Sequence, residues 1–461
     1  MKVSQILHLA VFFMVGAASL QAQDSRWRQL QAMGEELFGR GRYAEAQKTF
    51  ETALRESEKS SQTDLQRLQS LNSLATAFQQ QGLLDQADAK YAQALDLSEK
   101  YPEHDLAAKV SNNLAQLRNT QGRFAEAEVL YLRALAIQKK LYGDRHPSVA
   151  ITLDNLAMLE VRLGRYADAE ENLLKALDVS QKTEGAEHPQ TLTKMNNLAY
   201  LYSRLGRYQD AERLYKKVLA TRERTQGREN LAVSITLNNL GDLFRLQGRY
   251  EAAEPLYRRA LLINEKVLGT DNQRNAPVLN NLAMVARNKG RLAEAEDFYL
   301  RAIAINEKSL GPQHASLGMP LTNLAELYIH LQRYTDAERF YRRALTILEA
   351  AVGPDHAEIA FALLSMAEGY RVQRRYDEAE PLFQRAIAMT EKTLGPDHPQ
   401  VARTLTIYAV LLRATKRKGE AAQWEQRAKA IASNRNSETA TGALTVDYGD
   451  LRDSALREQG K

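Results

Sequence analysis

The chain has 461 residues, of which 44% are apolar and 26% are charged, and it contains no cysteine. The apolar share is enough to bury a large core, which excludes a wholly disordered chain. The lack of cysteine excludes disulfides, thiol nucleophiles and cysteine-ligated metal centres. The net charge of +5 is a small excess on a long chain, so it permits a nucleic-acid partner without indicating one.

The N-terminus carries a short apolar segment. It follows Lys2, runs from Ile6 to Leu20 and ends near Ala22. A basic start, an apolar run of this length and a small residue at the end are typical of a secretory signal peptide. The alternative is an uncleaved anchor, but the run is shorter than the roughly 20 residues that a spanning helix needs. We therefore predict a signal peptide over 1–22, with no membrane span after cleavage, and a periplasmic or secreted bacterial protein.

One phrase recurs along the chain at intervals of 40 to 42 residues, and ten copies align. Its anchor is the glycine of a Gly-Arg-Tyr motif, as at Gly206 and Gly248. Alanine stands five residues after the anchor in all ten copies, and glycine or alanine stands seven residues before it. Tyrosine or phenylalanine mostly stands nine residues after it. A repeat of this length indicates a stacked architecture.

Apolar residues fall at helical spacing on both sides of each anchor, as at Leu237, Leu240 and Phe244. Each copy therefore predicts two antiparallel helices joined at the anchor, where glycine can take the left-handed conformation that ends the first helix. One pair cannot bury its own apolar face, so the pairs must stack. Pro277 and Pro320 lie a few residues further into the pattern than Pro147 does, which predicts a late or irregular start of those two first helices.

This frame resembles the tetratricopeptide repeat, in particular the long, 42-residue form of kinesin light chains and related bacterial proteins. The resemblance is carried by Leu-Asn-Asn-Leu at 237–240 and 279–282, by Gly248-Arg-Tyr, and by Leu394-Gly-Pro-Asp-His-Pro, and it covers roughly 25–432. It implies an all-α fold, a right-handed α-solenoid of about ten helix pairs over 23–432. It also implies that first helices line a concave groove. We predict that 433–461, which has no sustained period, is a flexible tail.

Histidine occupies one repeat position six times. These residues are His104, His146, His188, His314, His356 and His398, and Asn230 and Asn272 take the same place elsewhere. One interpretation is a metal array. The other is a hydrogen bond near the start of the next helix, which asparagine could also make. Neighbouring repeats lie too far apart to share an ion, which favours the second interpretation. We predict no metal, no cofactor and, since no catalytic motif is present, no enzyme.

Asparagine pairs mark the first helices. A helical wheel places the first member of each pair beside the groove and the second member farther round. The first members are Asn112, Asn196, Asn238 and Asn280, and the second members include Asn239 and Asn281. Their carboxamides could hold the backbone of an extended peptide, or they could link helices of adjacent repeats. The sequence leaves both readings open.

Arginines lie on the same flank, seven residues after the first asparagine position. They are Arg245, Arg287, Arg371 and Arg413. As a basic strip they predict a partner with acidic side chains or a free C-terminus. Arg245 and Arg371 could instead pair locally with acids three residues before them. Arg287 and Arg413 have no such neighbour and are the better candidates, while Tyr200 and Met284 are predicted to supply apolar pockets.

The function predicted from these patterns is a non-enzymatic scaffold. It would bind extended segments of partner proteins in the groove, in the bacterial envelope. A glycan or cell-wall binding protein is an alternative, because groove tyrosines and asparagines suit sugars as well as peptides. A nucleic-acid binding repeat protein is a further alternative, disfavoured by the weak net charge and by the export signal.

Overall fold

The computed structural model describes residues 25–59, 64–352 and 357–436. These residues form twenty α-helices and one short 3-10 helix, with no strand among them. None of the described helices combines the length and the apolar run that a membrane crossing requires. The predicted signal peptide and most of the predicted tail lie outside the described residues.

Ten helix pairs follow one another along the chain, as the repeats predict. The first helices are α1 (25–39), α3 (Asp64–Gln80), α5 (Asp105–Thr120), α7 (Pro147–Arg162), α9 (Pro189–Arg204), α11 (Leu231–Leu246), α13 (Asn275–Asn288), α15 (Gly318–His330), α17 (Ala357–Val372) and α19 (Pro399–Ala414). The second helices are α2 (Tyr43–Ser57), α4 (Leu84–Ser98), α6 (Phe124–Tyr142), α8 (Tyr166–Thr183), α10 (Tyr208–Gln226), α12 (Tyr250–Leu268), α14 (Leu292–Leu310), α16 (Tyr334–Val352), α18 (Tyr376–Leu394) and α20 (Lys418–Asn436).

The turn inside each pair is a left-handed residue that ends the first helix. Gly248 has a φ of 69°, and the other anchor glycines are similar. The three copies without glycine keep the same conformation, with φ of 57° at Gln332, 64° at Arg374 and 66° at Lys416. After α15 the amide of Arg333 donates to the carbonyl of Tyr328 over 2.8 Å, the bond expected of a Schellman cap. The backbone geometry therefore repeats even where the glycine does not.

Small residues let the two helices of a pair approach closely around a buried ring. Ala253 is fully buried on α12, and so is Tyr257 one turn further on. A Cβ atom added to Gly241 would lie only 2.8 Å from the Tyr257 ring. The invariant small positions of the repeat are therefore set by the space that the aromatic side chain needs.

The chain divides into two compact units, residues 1–152 and 153–461, with the boundary inside α7. The described part of the first unit has a core that runs from Ala46 to Leu117. The second unit has a larger core that extends from Ala157 to Ile431. In each unit the buried residues come from successive helix pairs, as expected of a stack of repeats.

Proline alters the start of two first helices, as predicted. The helix α13 begins at Asn275, two residues before Pro277, and has 14 residues where α11 has 16. The helix α15 is preceded by the 3-10 helix Ala315–Leu317. Pro320 is the third residue of α15. A proline in the first turn of a helix costs no internal hydrogen bond, so the helix begins where the proline permits it.

Candidate functional site

The first helices of the second unit carry the side chains that the sequence predicts for the groove. On α11, Ile235, Asn238, Asp242 and Arg245 are three, four and three residues apart, so they form one stripe along the helix. The corresponding stripes on α9, α13, α15, α17 and α19 come from the same repeat positions. We call these six stripes together the stripe face; it comprises the four positions on each helix, from Thr193 on α9 to Arg413 on α19.

Carboxamides join neighbouring first helices. Asn281 on α13 donates its Nδ2 to Oδ1 of Asn238 on α11 over 3.0 Å. Asn323 on α15 donates in the same way to Asn280 over 2.9 Å. In the first unit Asn113 donates to Asn72 over 3.0 Å. At these positions the second asparagine of one pair donates a hydrogen bond, and the first asparagine of the pair in the preceding repeat accepts it.

An aspartate takes the accepting place on α7. Asn197 on α9 donates to both carboxylate oxygens of Asp154, at 3.1 and 3.0 Å. Burial raises the pKa of Asp154, while the bond from Asn197 and the charge of Lys194 act in the opposite direction. We call the series of side-chain bonds between successive first helices the ladder. In the second unit it sets the register of α7 with α9, of α11 with α13 and of α13 with α15.

Three predicted asparagines are placed differently. Asn196 is 5% exposed, and its Oδ1 is buried without a hydrogen bond among the described residues. Asn112 and Asn239 are half-buried on α5 and α11. The peptide-binding role predicted for Asn112, Asn196 and Asn239 stays a prediction. Asn238, Asn280 and Asn281, in contrast, already make hydrogen bonds within the ladder.

All four predicted arginines have acidic partners. Arg245 donates to Asp242 over 2.9 Å, and Arg371 makes two bonds of 2.7 and 2.6 Å to Glu368, the local pairing that the sequence offered as an alternative. The hydrogen bonds that Arg371 donates to Glu368 raise the pKa of Arg371. Ion pairing at both sites removes the free guanidinium groups that a basic strip requires.

Arg287 and Arg413 have no acid three residues before them, as the sequence indicates, but each pairs with an acid on another helix. Arg287 donates to Glu326 over 2.8 Å, and Glu326 lies on the first helix of the next repeat. Arg413 makes two bonds of 2.7 Å to Glu425 on α20. Both acids come from other helices, so a search three or four residues away on the same helix could not find them.

Apolar side chains on the stripe face remain accessible. Tyr200 on α9 is 37% exposed. Met284 is half-buried, and its sulfur lies 3.9 Å from Nδ2 of Asn280. Both occupy the third stripe position, where other repeats carry Asp242 or Glu326. The structure thus places these two predicted residues on one surface, with partial exposure.

The first stripe position holds a row that the sequence reasoning missed. It is apolar on four successive first helices, at Ile235, Pro277, Met319 and Phe361. Ile235 is 50% exposed and Met319 is 45% exposed, Pro277 is exposed, and Phe361 is half-buried. The alignment of the repeats carries this signal, because the position is apolar in four successive copies although none of the four residues belongs to the buried core. We call these four residues the apolar row.

Buried tyrosines of the second helices reach the underside of the stripes. The hydroxyl of Tyr257 donates to Asp242 over 2.9 Å. Tyr299 is fully buried, and its hydroxyl has no hydrogen bond among the described residues, since Met284 stands where Asp242 stands in the repeat before. Burial raises the pKa of Tyr299 to about 12. The buried tyrosine is therefore hydrogen-bonded to the stripe in the repeat of Tyr257 but not in the repeat of Tyr299.

The repeated histidines cap helices. Each accepts at Nδ1 a bond from the backbone amide two residues further on, at distances of 3.1 to 3.3 Å for His104, His146, His188, His314 and His398. Asn230 and Asn272 accept in the same way at 2.8 and 3.0 Å. The hydrogen-bonding interpretation is confirmed at these positions, and His356 lies outside the described residues.

Across 25–59, 64–352 and 357–436, no group of three or more histidines or acids is placed to hold a metal ion. Arg222 is buried among backbone and hydroxyl acceptors, which include Ala232 and Thr236, and burial lowers its pKa to about 10. This guanidinium links α10 to α11 inside the stack.

Comparison with sequence families assigns this architecture to a known repeat family. The family profile described as “Tetratricopeptide repeat” matches eight segments, one over 29–100 and seven overlapping ones over 106–434. The chain belongs to the tetratricopeptide repeat family. The helix pairs, the left-handed turns and the small-residue positions described above are thus the features of tetratricopeptide repeats. No curated protein sequence matches the chain.

Solved structures of other tetratricopeptide repeat proteins resemble the chain. A Rap protein complexed with competence and sporulation factor is 14% identical, covering 80% of this chain and 98% of its own, with a TM-score of 0.55. The apo form of the quorum sensor NprR from B. thuringiensis is 16% identical, covering 81% and 99%, with a TM-score of 0.50. A putative kinesin light chain from Podospora anserina is 24% identical, covering 44% and 97%, with a TM-score of 0.38. At these identities the likeness to the Rap protein and to NprR is one of fold.

Proposed function

We propose that this protein is a non-enzymatic scaffold that binds extended segments of partner proteins on the stripe face. One observation carries the proposal. The same stripe recurs on successive first helices, and accessible apolar side chains such as Tyr200 and Ile235 stand on it beside polar groups that are already bonded. A repeated surface of this kind offers one equivalent contact per repeat to a chain that lies across the helices.

The family and the fold support a binding role. Tetratricopeptide repeats generally serve in protein–protein interaction rather than in catalysis, and these repeats occupy nearly all of the described chain. The Rap protein that shares the fold over 80% of this chain is itself complexed with a separate factor. A site for a second molecule on such a stack is therefore compatible with the architecture.

The role that we propose for the asparagines is to hold the surface in register. Their side chains donate and accept between repeats, so the backbone of a bound segment would find a rigid array of first helices. The arginines are neutralised by Asp242, Glu326, Glu368 and Glu425. A partner segment therefore need not be acidic.

We propose further that the protein acts in the bacterial envelope. The support is the N-terminal sequence from Lys2 to Ala22, with the pattern of a signal peptide. A C-terminally tagged chain expressed in a bacterial host should be recovered from the periplasm or the medium, with Gln23 as its first residue. Recovery from the cytoplasm with Met1 or Lys2 at the N-terminus would contradict this location.

The binding proposal is tested with displayed peptides. A library of random peptides is selected on the purified protein, and the affinities of the selected peptides are measured by fluorescence anisotropy. Replacing the accessible stripe residues in Tyr200→Glu and Met284→Glu should weaken binding at least about tenfold, because each change places a charge where an apolar contact is lost. The matched control is Leu262→Glu on α12, a second helix, where the leucine is 64% exposed. Binding that survives the stripe variants and is lost in the control would refute the proposal.

A further inference from the structure

The apolar row is an exposed feature with a fixed period. Its four residues occupy one position of four successive repeats, on α11, α13, α15 and α17. The row ends at Thr193 on α9 and at Arg403 on α19, which are polar and charged. Ile235 and Met319 leave about half of their surface in water. A row of apolar side chains that recurs at one accessible repeat position suits contact with another chain.

The ladder fixes the spacing of the row. Side chains of neighbouring first helices bond directly, with 3.0 Å between Asn281 and Asn238 and 2.9 Å between Asn323 and Asn280. Helices in such contact have axes about 8–10 Å apart. Because the row uses the same position on each helix, its apolar side chains recur at about this interval. Four of them span about 24–30 Å, which is three such intervals.

This spacing selects one conformation of a bound segment. A polyproline II helix has three residues per turn and rises about 3.1 Å per residue, so every third side chain recurs after about 9.3 Å. In a β-strand the side chains on one face recur after about 6.7 Å and lose register with the row. In an α-helix with one apolar residue in seven, the apolar side chains recur after about 10.5 Å, which is longer than the interval of about 8–10 Å between the helices.

The charged side chains beside the apolar row indicate which residues a bound segment should contain. The cations next to the row are paired: Arg245 with Asp242, Arg287 with Glu326, and Arg371 with Glu368. A charged segment would lose its hydration without meeting an opposite charge that is not already engaged. The surface therefore complements an uncharged segment.

Backbone hydrogen bonding points the same way. A polyproline II segment makes no internal hydrogen bonds, so its carbonyl groups need donors or water. Asn238 lies one turn from Ile235 and is half-buried. Its Oδ1 already accepts from Asn281, which leaves its Nδ2 as the group that can donate to a bound carbonyl.

We propose that the apolar row binds an uncharged segment of a partner protein in the polyproline II conformation, with an apolar side chain at every third residue. This inference rests on the proposed function and names the class of its partner. Four turns on four helices correspond to a segment of about twelve residues.

The test uses two fluorescein-labelled peptides of the same composition. One repeats Leu-Pro-Gln four times, and the other has the same residues with its leucines at every second position. We expect the first to bind the full-length protein at least about tenfold more tightly, since only its leucines recur at the interval that separates the first helices. A version of the first peptide with two glutamines changed to glutamate should bind no more tightly.

Variants locate the binding. The double variant Ile235→Gln/Met319→Gln should weaken the period-three peptide at least about tenfold, whereas Leu262→Gln on α12 should leave its affinity unchanged. Circular dichroism establishes that each variant keeps its helix content. Equal affinity for the two peptides, tighter binding of the acidic version, no binding of the period-three peptide, or binding that survives the double variant would each overturn the inference.

The inference and the proposed function can fail separately. If peptides selected from a library require Tyr200 and Met284 but the period-three peptide does not bind, the stripe face binds peptides of another kind and only the inference falls. If the selected peptides also ignore the stripe variants, both fall. A period-three peptide that binds and depends on Ile235 and Met319 supports both.

Discussion

Asn281 donates its side-chain amide to the side-chain oxygen of Asn238, 3.0 Å away on the first helix of the preceding repeat. The two residues are 43 positions apart, so the bond joins repeats rather than turns of one helix. The asparagine pairs thus determine how neighbouring first helices lie against each other. Because these bonds join neighbouring repeats, they contribute to the stability of the stack.

Removing the donor should loosen the stack. We expect Asn281→Leu to lower the free energy of unfolding by about 1 kcal/mol, because the half-buried oxygen of Asn238 loses its partner. The control is Asn288→Leu on the same helix, since exposed Asn288 donates only to the carbonyl of Met284. That change should stay within about 0.5 kcal/mol. Urea denaturation followed by circular dichroism measures both, and an equal loss in the two variants would contradict the role of the ladder.

Glu326 holds three successive first helices together. It accepts from Arg287 over 2.8 Å and from Ser365 over 2.7 Å. The side chains of Arg287 and Glu326 are only 18% and 19% exposed. Glu326→Gln should therefore cost about 1–3 kcal/mol of unfolding free energy, because a poorly hydrated guanidinium loses its counter-charge.

The control for Glu326 is an exposed pair between repeats. Glu229 pairs with Lys266, and both side chains are 61% exposed. Glu229→Gln should change the unfolding free energy by less than about 1 kcal/mol, since water screens the pair. A cost at Glu229 as large as that at Glu326 would show that burial does not govern these bridges.

Two buried tyrosines offer a matched comparison. Tyr257 donates to Asp242, whereas the Tyr299 hydroxyl has no hydrogen bond among the described residues. Tyr257→Phe should cost about 1 kcal/mol, and Tyr299→Phe should be neutral or stabilising, because it removes a buried polar group without a partner. Urea midpoints of the two variants decide the matter. A larger loss in Tyr299→Phe would mean that its hydroxyl is bonded.

The cap at His314 predicts a dependence on pH. Burial lowers the pKa of His314, and its Nδ1 accepts from the amide of Ser316 over 3.2 Å, which a protonated ring cannot do. The unfolded chain, with a pKa of about 6.5, binds the proton more readily than the folded one. The stability from this group is therefore complete above about pH 6.5 and is lost as the pH falls toward the folded pKa.

His314→Asn separates the cap from the titration. Asn230 caps the equivalent helix α11, and Asn272 accepts the equivalent bond from the amide of Arg274, so the variant should match the native protein above about pH 7. Between about pH 6.5 and 5 its urea midpoint should fall less than that of the native protein. Parallel pH profiles of the two proteins would show that the histidine does not titrate on unfolding.

Most of the fold follows from the sequence. The helix pairs, their turns and the late start of α13 and α15 depend on residues close to one another in the chain, where periodicity, glycine and proline act directly. The left-handed Gln332, Arg374 and Lys416 show the limit. None of these residues prefers that conformation, so only their place in the repeat predicts it.

The candidate site follows less completely, because its contacts cross repeats. Glu326 is 39 residues from Arg287, and Glu425 is 12 residues from Arg413 on another helix. Nothing in local spacing identifies such partners. The apolar row, in contrast, is visible in the aligned repeats.

The measurement that tests the central claim most directly is photocrosslinking of a selected peptide. A photoreactive phenylalanine analogue is placed at Tyr200 or Met319 on the stripe face, and at Leu262 or Leu300 on second helices, where the leucines are 64% and 43% exposed. Our account predicts crosslinks from the first two positions and none from the last two. Crosslinks from Leu262 or Leu300, with none from Tyr200 or Met319, would contradict it.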